Sequence, residues 1–171
     1  MEPAEFAERQ KFAKLVSRYA TPLAVIVVAV GLTLSPPRSP QREICWSLLV
    51  FGIVFNLTIT KILERGGGAW LFKLRRWTNF CNNVVTVYLL GSYWTPIWLL
   101  LTLTPLATAI TGSRRSTIVA ASMTSAALLI IHSTRGYNFR LEWGQQCVHA
   151  AYIFLICLMV NELSLTARGK R

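Results

Sequence analysis

The sequence has no aspartate and few other side chains suited to hydrolysis or metal binding. Its 171 residues include seven acidic residues, all of them glutamate, and two histidines, and only 15% of the residues are charged. Carboxylates and imidazoles provide most of the general acids, general bases and metal ligands in enzymes. Because no nucleophile–base or metal-ligand constellation can be recognised, we expect that the chain is not an enzyme.

Apolar residues dominate what is present. Hydrophobic residues make up 53% of the chain, the mean hydropathy is +0.45, and the apolar residues form long runs that are typical of membrane proteins. The formal charge of +11 would suggest nucleic acid as a partner for a soluble protein, but the hydropathy argues against such a partner. The predicted fold class is an all-α, polytopic integral membrane protein with six transmembrane helices and an N-terminal amphipathic surface helix.

The sequence predicts three consecutive segments. Residues 1–20 form the cytoplasmic amphipathic helix, residues 21–167 form the six-helix transmembrane domain, and residues 168–171 form a basic cytoplasmic tail. The glutamates near the N-terminus are unlike a signal peptide, so we expect the first apolar segment to be retained. The six predicted spans cover residues 22–36, 44–63, 78–93, 96–112, 116–133 and 146–167.

Basic residues are unevenly divided between the two ends of the predicted spans. An even number of spans places both termini on one side, and that side then holds most of the lysines and arginines. The other side holds four: Arg38, Arg42, Arg135 and Arg140. The positive-inside rule therefore predicts a multi-pass protein of the bacterial cytoplasmic membrane with both termini in the cytoplasm. We expect bound lipids, with the basic side facing anionic headgroups.

Tryptophans lie at the predicted boundaries of the membrane, where amphipathic rings are usually found. We interpret all six as interfacial anchors, four at the outer boundary and two at the inner one. They are Trp46, Trp94, Trp98 and Trp143, followed by Trp70 and Trp77.

Polar and small residues inside the predicted spans indicate how the helices pack. Asn79, Asn82 and Asn83 cluster at the cytoplasmic end of the third span, with Asn56 in the second, and their amides must find partners within the protein. We favour interhelical hydrogen bonding, and the alternative is a small polar ligand site or a signal-sensitive joint.

Further packing residues are predicted in the last three spans. Pro105 is expected to kink the fourth span, and Glu162, near the cytoplasmic end of the sixth, is expected to pair with an arginine on the same side. The fifth span is rich in small residues, which allow close helix approach. The small residues assigned to this packing are Ala120, Ser122, Thr124 and Ala126.

His132 and His149 are predicted to lie near the outer ends of the fifth and sixth spans. We favour interfacial polar roles for both, and the alternative is a pair of ligands to haem, a pigment or a metal, since imidazole suits these groups. We predict no cofactor and no metal site. The four cysteines form no CxxC pair and act as small hydrophobic residues, although a disulfide between Cys45 and Cys147 is an alternative that only geometry decides.

The stretch from Asn82 to Gly136 resembles the six-helix N-terminal membrane sensor regions of bacterial histidine kinases and diguanylate cyclases. The resemblance rests on Asn-Asn-Val-Val-Thr-Val-Tyr-Leu-Leu-Gly-Ser-Tyr-Trp-Thr-Pro-Ile-Trp, a Leu-rich span with Pro105, Gly-Ser-Arg-Arg at 112–115 and an Ala-rich span. The arrangement of helices is similar over the whole chain, but the similar motifs cover only about a third of it. In that family an acid usually stands where this chain has Asn. The sequence contains no phosphoacceptor, ATP-binding or cyclase motif, so the resemblance implies a sensor-like membrane module without an output domain.

These observations favour a non-catalytic membrane protein that acts through helix packing, as an accessory or structural subunit of a larger bacterial membrane complex. Its expected partners are the lipid bilayer and other membrane protein subunits. One alternative is a sensor input domain whose output is supplied by another chain. A second alternative is a small-solute transporter or its substrate-binding subunit, against which the scarcity of intramembrane charge and the lack of an inverted repeat argue.

Overall fold

The computed structural model describes the backbone of residues 3–68, 70–135 and 140–169 and the side chains of residues 18–68, 70–135 and 141–167. These ranges contain helices and no strand, which confirms the all-α class. The helices are α1 (Pro3–Leu34), α2 (Gln41–Glu64), α3 (Trp70–Leu90), a 3₁₀ helix (Thr95–Trp98), α4 (Leu99–Thr111), α5 (Arg114–Thr134) and α6 (Arg140–Gly169).

Three helices in the described ranges are long and apolar enough to cross a membrane. They are α2, α5 and the 27-residue stretch Leu141–Ala167 of α6, each of which exceeds the length that a 30 Å hydrocarbon core requires. Two shorter apolar stretches are Arg18–Leu34 and Thr95–Thr111. The described part of the chain is therefore all-helical, and three of its helices fit a membrane by length and composition.

Helix α1 differs from the sequence-based expectation of two separate elements at the N-terminus. It continues from Pro3 to Leu34 with Pro22 inside it, so the predicted boundary at residue 20 is not the end of a helix. Proline breaks one backbone hydrogen bond in a helix interior without always ending the helix. The side chains of residues 3–17 and of the predicted basic tail lie outside the described residues.

The chain divides into two compact units, Met1–Leu100 and Leu101–Arg171, with the boundary inside α4. In the first unit α2 contacts both α1 and α3, and the 3₁₀ helix contacts α1 and α3. The end of α2 and the beginning of α3 share an apolar cluster of Ile59, Leu63 and Leu71, against which Phe55 and Phe72 pack.

Two glycines end α2 and turn the chain toward α3. The amide of Gly66 donates to the carbonyl of Leu63, and the amide of Gly67 donates to the carbonyl of Ile62, which is the Schellman pattern of a helix C-terminus. Gly66 has φ = +93°, a conformation that glycine adopts without steric cost. Gly66 and Gly67 therefore cap the C-terminus of α2.

In the second unit α5 and α6 form the most extensive helix pair. Thr117, Ala121, Thr124 and Leu128 are buried along α5, at the spacing of four, three and four residues that defines one face of a helix. The hydroxyl of Ser125 donates to the carbonyl of Ala150 at 2.9 Å. Small side chains on this face therefore allow the two backbones to approach closely.

Candidate functional site

The amide joint, formed by Asn56, Arg75 and Asn79, connects α2 to α3. Asn56 Nδ2 donates to Asn79 Oδ1 at 2.9 Å, and Asn79 Nδ2 donates back to Asn56 Oδ1 at 3.0 Å. Arg75 Nε donates to the same Asn56 oxygen at 2.9 Å, and Asn56 Nδ2 also donates to the carbonyl of Gly52 at 2.8 Å. All four hydrogen bonds are partly buried, so they compensate these polar groups for the water that burial removes.

Arg75 brings a cation into this joint. Burial lowers the pKa of the Arg75 guanidinium from its ordinary value, but a guanidinium keeps its charge throughout the physiological range. A hydrogen bond from a charged donor to the Asn56 amide is stronger than a neutral one. Sequence reasoning missed this role because it counted Arg75 only as one of the basic residues that orient the protein.

The other two asparagines of the predicted cluster have separate environments. Asn83 Nδ2 donates to the carbonyl of Leu100 at 3.0 Å. Asn82 lies against Gly52, where an added Cβ would be 3.2 Å from Asn82 Nδ2, and its Oδ1 accepts no hydrogen bond from the described residues. The structure therefore brings Asn79 to Asn56 and directs Asn82 and Asn83 to different positions.

A second polar site, the α4 cap, joins α6 to the C-terminal end of α4. Asn161 is 1% exposed, and its Nδ2 donates to the carbonyls of Ala109 at 2.8 Å and Gly112 at 3.3 Å. The hydroxyl of Ser164 donates to the carbonyl of Ile110 at 2.9 Å. The last carbonyls of a helix have no partner within the helix, so α6 supplies the donors that α4 needs.

Glu162, beside the α4 cap, forms an ion pair with Arg114, whose Nε lies 3.2 Å from Glu162 Oε1. Arg114 begins α5, and it is one of the arginines on the predicted cytoplasmic side. Both side chains are more than half exposed, so solvent screens the pair. Sequence reasoning selected Glu162 and missed its neighbour Asn161, which is the buried residue of the two.

The predicted packing residues of α5 lie on two different faces. Thr124 is fully buried and Ala120 is half-buried, whereas Ser122 and Ala126 are exposed. The residue that sequence reasoning missed on the buried face is Ala121, which is 0% exposed. In α4, Pro105 is fully buried and the helix continues on both sides of it, while the predicted kink stays a prediction.

The two histidines lie at different levels of the α5–α6 pair. His132 meets Trp143 edge to face, with ring centroids 4.8 Å apart, and Ser125 bonds to the backbone of Ala150. Both contacts follow one antiparallel register, which places His149 beside residue 126, six positions from His132. Six residues correspond to about 9 Å along a helix axis, so this register does not direct both imidazoles at one ligand.

The tryptophans fall into two groups by exposure. Trp70 is 63% exposed, Trp77 is 53% exposed and Trp143 is 36% exposed, whereas Trp46, Trp94 and Trp98 are half-buried. The indole of Trp94 covers Gly31 of α1, where an added Cβ would be 2.7 Å from Trp94 Cδ1. Trp94 therefore has a packing role in the first unit that its position near a predicted boundary did not indicate.

The remaining candidates for chemistry are the cysteines, and all four are free thiols. Cys45 and Cys157 are buried, whereas Cys81 and Cys147 are exposed. Among the described residues no group of three or more His, Cys, Asp or Glu side chains is arranged to hold a metal ion. The arrangements that the structure does show are hydrogen bonds between helices.

Comparison of the chain with protein-family models, with curated proteins and with solved structures gives no match. The resemblance to sensor regions of histidine kinases and diguanylate cyclases therefore stays a prediction from the sequence.

Proposed function

We propose that the chain is a non-catalytic, multi-pass subunit of a larger complex in the bacterial cytoplasmic membrane, and that it acts by packing its helices against those of partner subunits. The observation that supports this function is the exposed face of α5. Ser122 and Ala126 lie on it, one turn apart, between the exposed apolar residues Val119, Met123 and Ile130. Small residues four positions apart allow a second helix to approach closely in lipid.

The polar contacts agree with a packing role. The side-chain amides of Asn56, Asn79 and Asn161 form hydrogen bonds between helices. Such hydrogen bonds stabilise membrane helices by about 0.6 kcal/mol each. A binding site for a solute would instead direct several polar groups toward a common space. Helix association is therefore the function for which these side chains are best arranged.

The proposed topology has six spans with both termini in the cytoplasm. Single cysteines introduced into a cysteine-free chain, followed by labelling with a membrane-impermeant maleimide, would test it. We expect Arg38→Cys to be labelled in intact spheroplasts, and Arg65→Cys and Arg115→Cys to be labelled only after lysis. Labelling of Arg65→Cys in intact spheroplasts would contradict the topology.

Gentle purification from native membranes tests the subunit role. We expect one or more membrane proteins to accompany the chain in constant stoichiometry through two chromatographic steps. Recovery of a histidine kinase or diguanylate cyclase as that partner would support the sensor alternative. A chain that purifies alone, with bound solute, would support the transporter alternative and contradict the proposed role.

A further inference from the structure

One exposed face at the beginning of α3 combines tryptophans with basic residues, and we call it the tryptophan–lysine surface. It consists of Trp70, Lys73, Leu74 and Trp77, together with Arg65 in the preceding turn. All five side chains are exposed. Positions 70, 73, 74 and 77 follow the spacing of three, four and seven residues that places side chains on one face of a helix.

The opposite face of the same helix segment is fixed to α2. Leu71 is buried in the cluster with Ile59 and Leu63, and Arg75 bonds to Asn56. These contacts hold the first two turns of α3 in one orientation, so the tryptophan–lysine surface must face outward.

Both indoles are also held by neighbours. Trp70 lies over the backbone of Gly68, where an added Cβ would be 3.0 Å from Trp70 Cδ1. Trp77 meets Phe80 edge to face, with ring centroids 6.1 Å apart. Each indole therefore contacts one neighbour within the chain, and more than half of it stays exposed.

The position of this surface along the chain identifies its partner. It directly follows α2, whose apolar span ends at Glu64, so it stands where a membrane span leaves the hydrocarbon core. Indole rings prefer the headgroup level of a bilayer, and lysine and arginine beside them attract anionic headgroups. Lys61, in the last turn of α2, is also exposed, and Glu64 contributes one opposing charge.

We propose, on the premise of the membrane location proposed above, that the tryptophan–lysine surface binds anionic phospholipid headgroups in preference to zwitterionic ones. Arg65 and Lys73 contact the headgroup phosphates, while Trp70, Leu74 and Trp77 occupy the level between headgroups and acyl chains. The surface thereby fixes the depth of the α2–α3 hairpin in the anionic leaflet.

Fluorescence quenching by brominated lipids tests this preference with the chain alone in nanodiscs of phosphatidylglycerol and phosphatidylcholine. The signal of Trp70 and Trp77 is the difference between wild type and the Trp70→Phe/Trp77→Phe variant. At low salt we expect brominated phosphatidylglycerol to quench this signal at least about twofold more than brominated phosphatidylcholine at equal mole fraction. The preference should decrease as salt increases.

Charge variants separate this surface from general attraction to the protein. Arg65→Gln/Lys73→Gln should bring the quenching ratio to about one, Arg65→Lys/Lys73→Arg should retain the preference, and Arg38→Gln/Arg42→Gln should leave it unchanged. A ratio of one in wild type, or an unchanged ratio in Arg65→Gln/Lys73→Gln, would overturn the proposal. Because the assay contains no partner protein, its result is independent of the subunit role.

Discussion

The α2–α3 and α5–α6 helix pairs are connected by different physical means. In α2–α3, paired amides and an arginine link the helices beside a small apolar cluster. In α5–α6, small buried residues bring the backbones together, and one hydroxyl bonds to a backbone carbonyl. Within lipid, packing and hydrogen bonding both replace the hydrophobic effect that joins helices in water. Their tolerance of substitution should therefore differ.

The largest expected effect is on the closely packed pair. Ala121→Leu adds a side chain where Ala121 is fully buried on α5, and overpacking of this kind costs about 1–3 kcal/mol. The free energy of unfolding in mixed micelles of detergent and denaturing surfactant measures the loss.

Ser122→Leu is the matched control, because Ser122 is the exposed neighbour on the same helix turn. We expect its free energy of unfolding to stay within about 0.5 kcal/mol of wild type. Equal losses in the two variants would show that the buried face of α5 has been assigned wrongly.

Removal of the α4 cap should have the next largest effect. Asn161→Leu leaves the carbonyls of Ala109 and Gly112 without their donor, and unpaired buried groups cost about 1–3 kcal/mol. Ser164→Ala removes one bond to α4 and should cost about 0.6 kcal/mol. The same unfolding assay applies, and a loss for Asn161→Leu no greater than that for Ser164→Ala would contradict the capping role.

The amide joint should produce a coupling energy between Asn56 and Asn79. In a double-mutant cycle of Asn56→Ala and Asn79→Ala we expect a coupling energy of about 0.6 kcal/mol, with about 1.7 kcal/mol as the upper limit for such bonds. Asn56→Ala combined with Asn83→Ala is the control, because Asn83 bonds to Leu100 instead. If the losses in free energy of unfolding from the Asn56 and Asn79 substitutions are additive, the two side chains do not interact and the amide joint is contradicted.

The exposed ion pair should have the smallest effect. Glu162→Gln removes the partner of Arg114, and exposed pairs of this kind contribute about 0.2–1 kcal/mol. Thermal unfolding at low and high salt measures this contribution, which should decrease as salt screens the charges. An effect that is independent of salt would point to a role other than the ion pair.

The sequence predicted the class of the fold because hydropathy and helix length are properties of single segments. It also directed attention to Asn79 and Glu162, since a polar group in an apolar span needs a partner wherever the span packs. The roles of Arg75 and Asn161 were missed, because they depend on which helix lies opposite. Gly66 was within reach of the sequence, as glycine directly after a helix is a common C-terminal signal.

The composition of α5 also could not predict which of its faces is buried and which is exposed. Ala120, Ser122, Thr124 and Ala126 are all small, and composition alone treats them as one group. Only the packing of the folded chain separates the buried Thr124 from the exposed Ser122 and Ala126. That separation gives the proposed subunit role its test.

The most direct test is the native mass of the complex purified from membranes that express wild type or Ala126→Trp. The account predicts that wild type migrates well above the 19.2 kDa of the chain with its partner, and that Ala126→Trp loses the partner while keeping the wild-type free energy of unfolding. Wild type that migrates as a single chain, or Ala126→Trp that retains the partner in full, would contradict it.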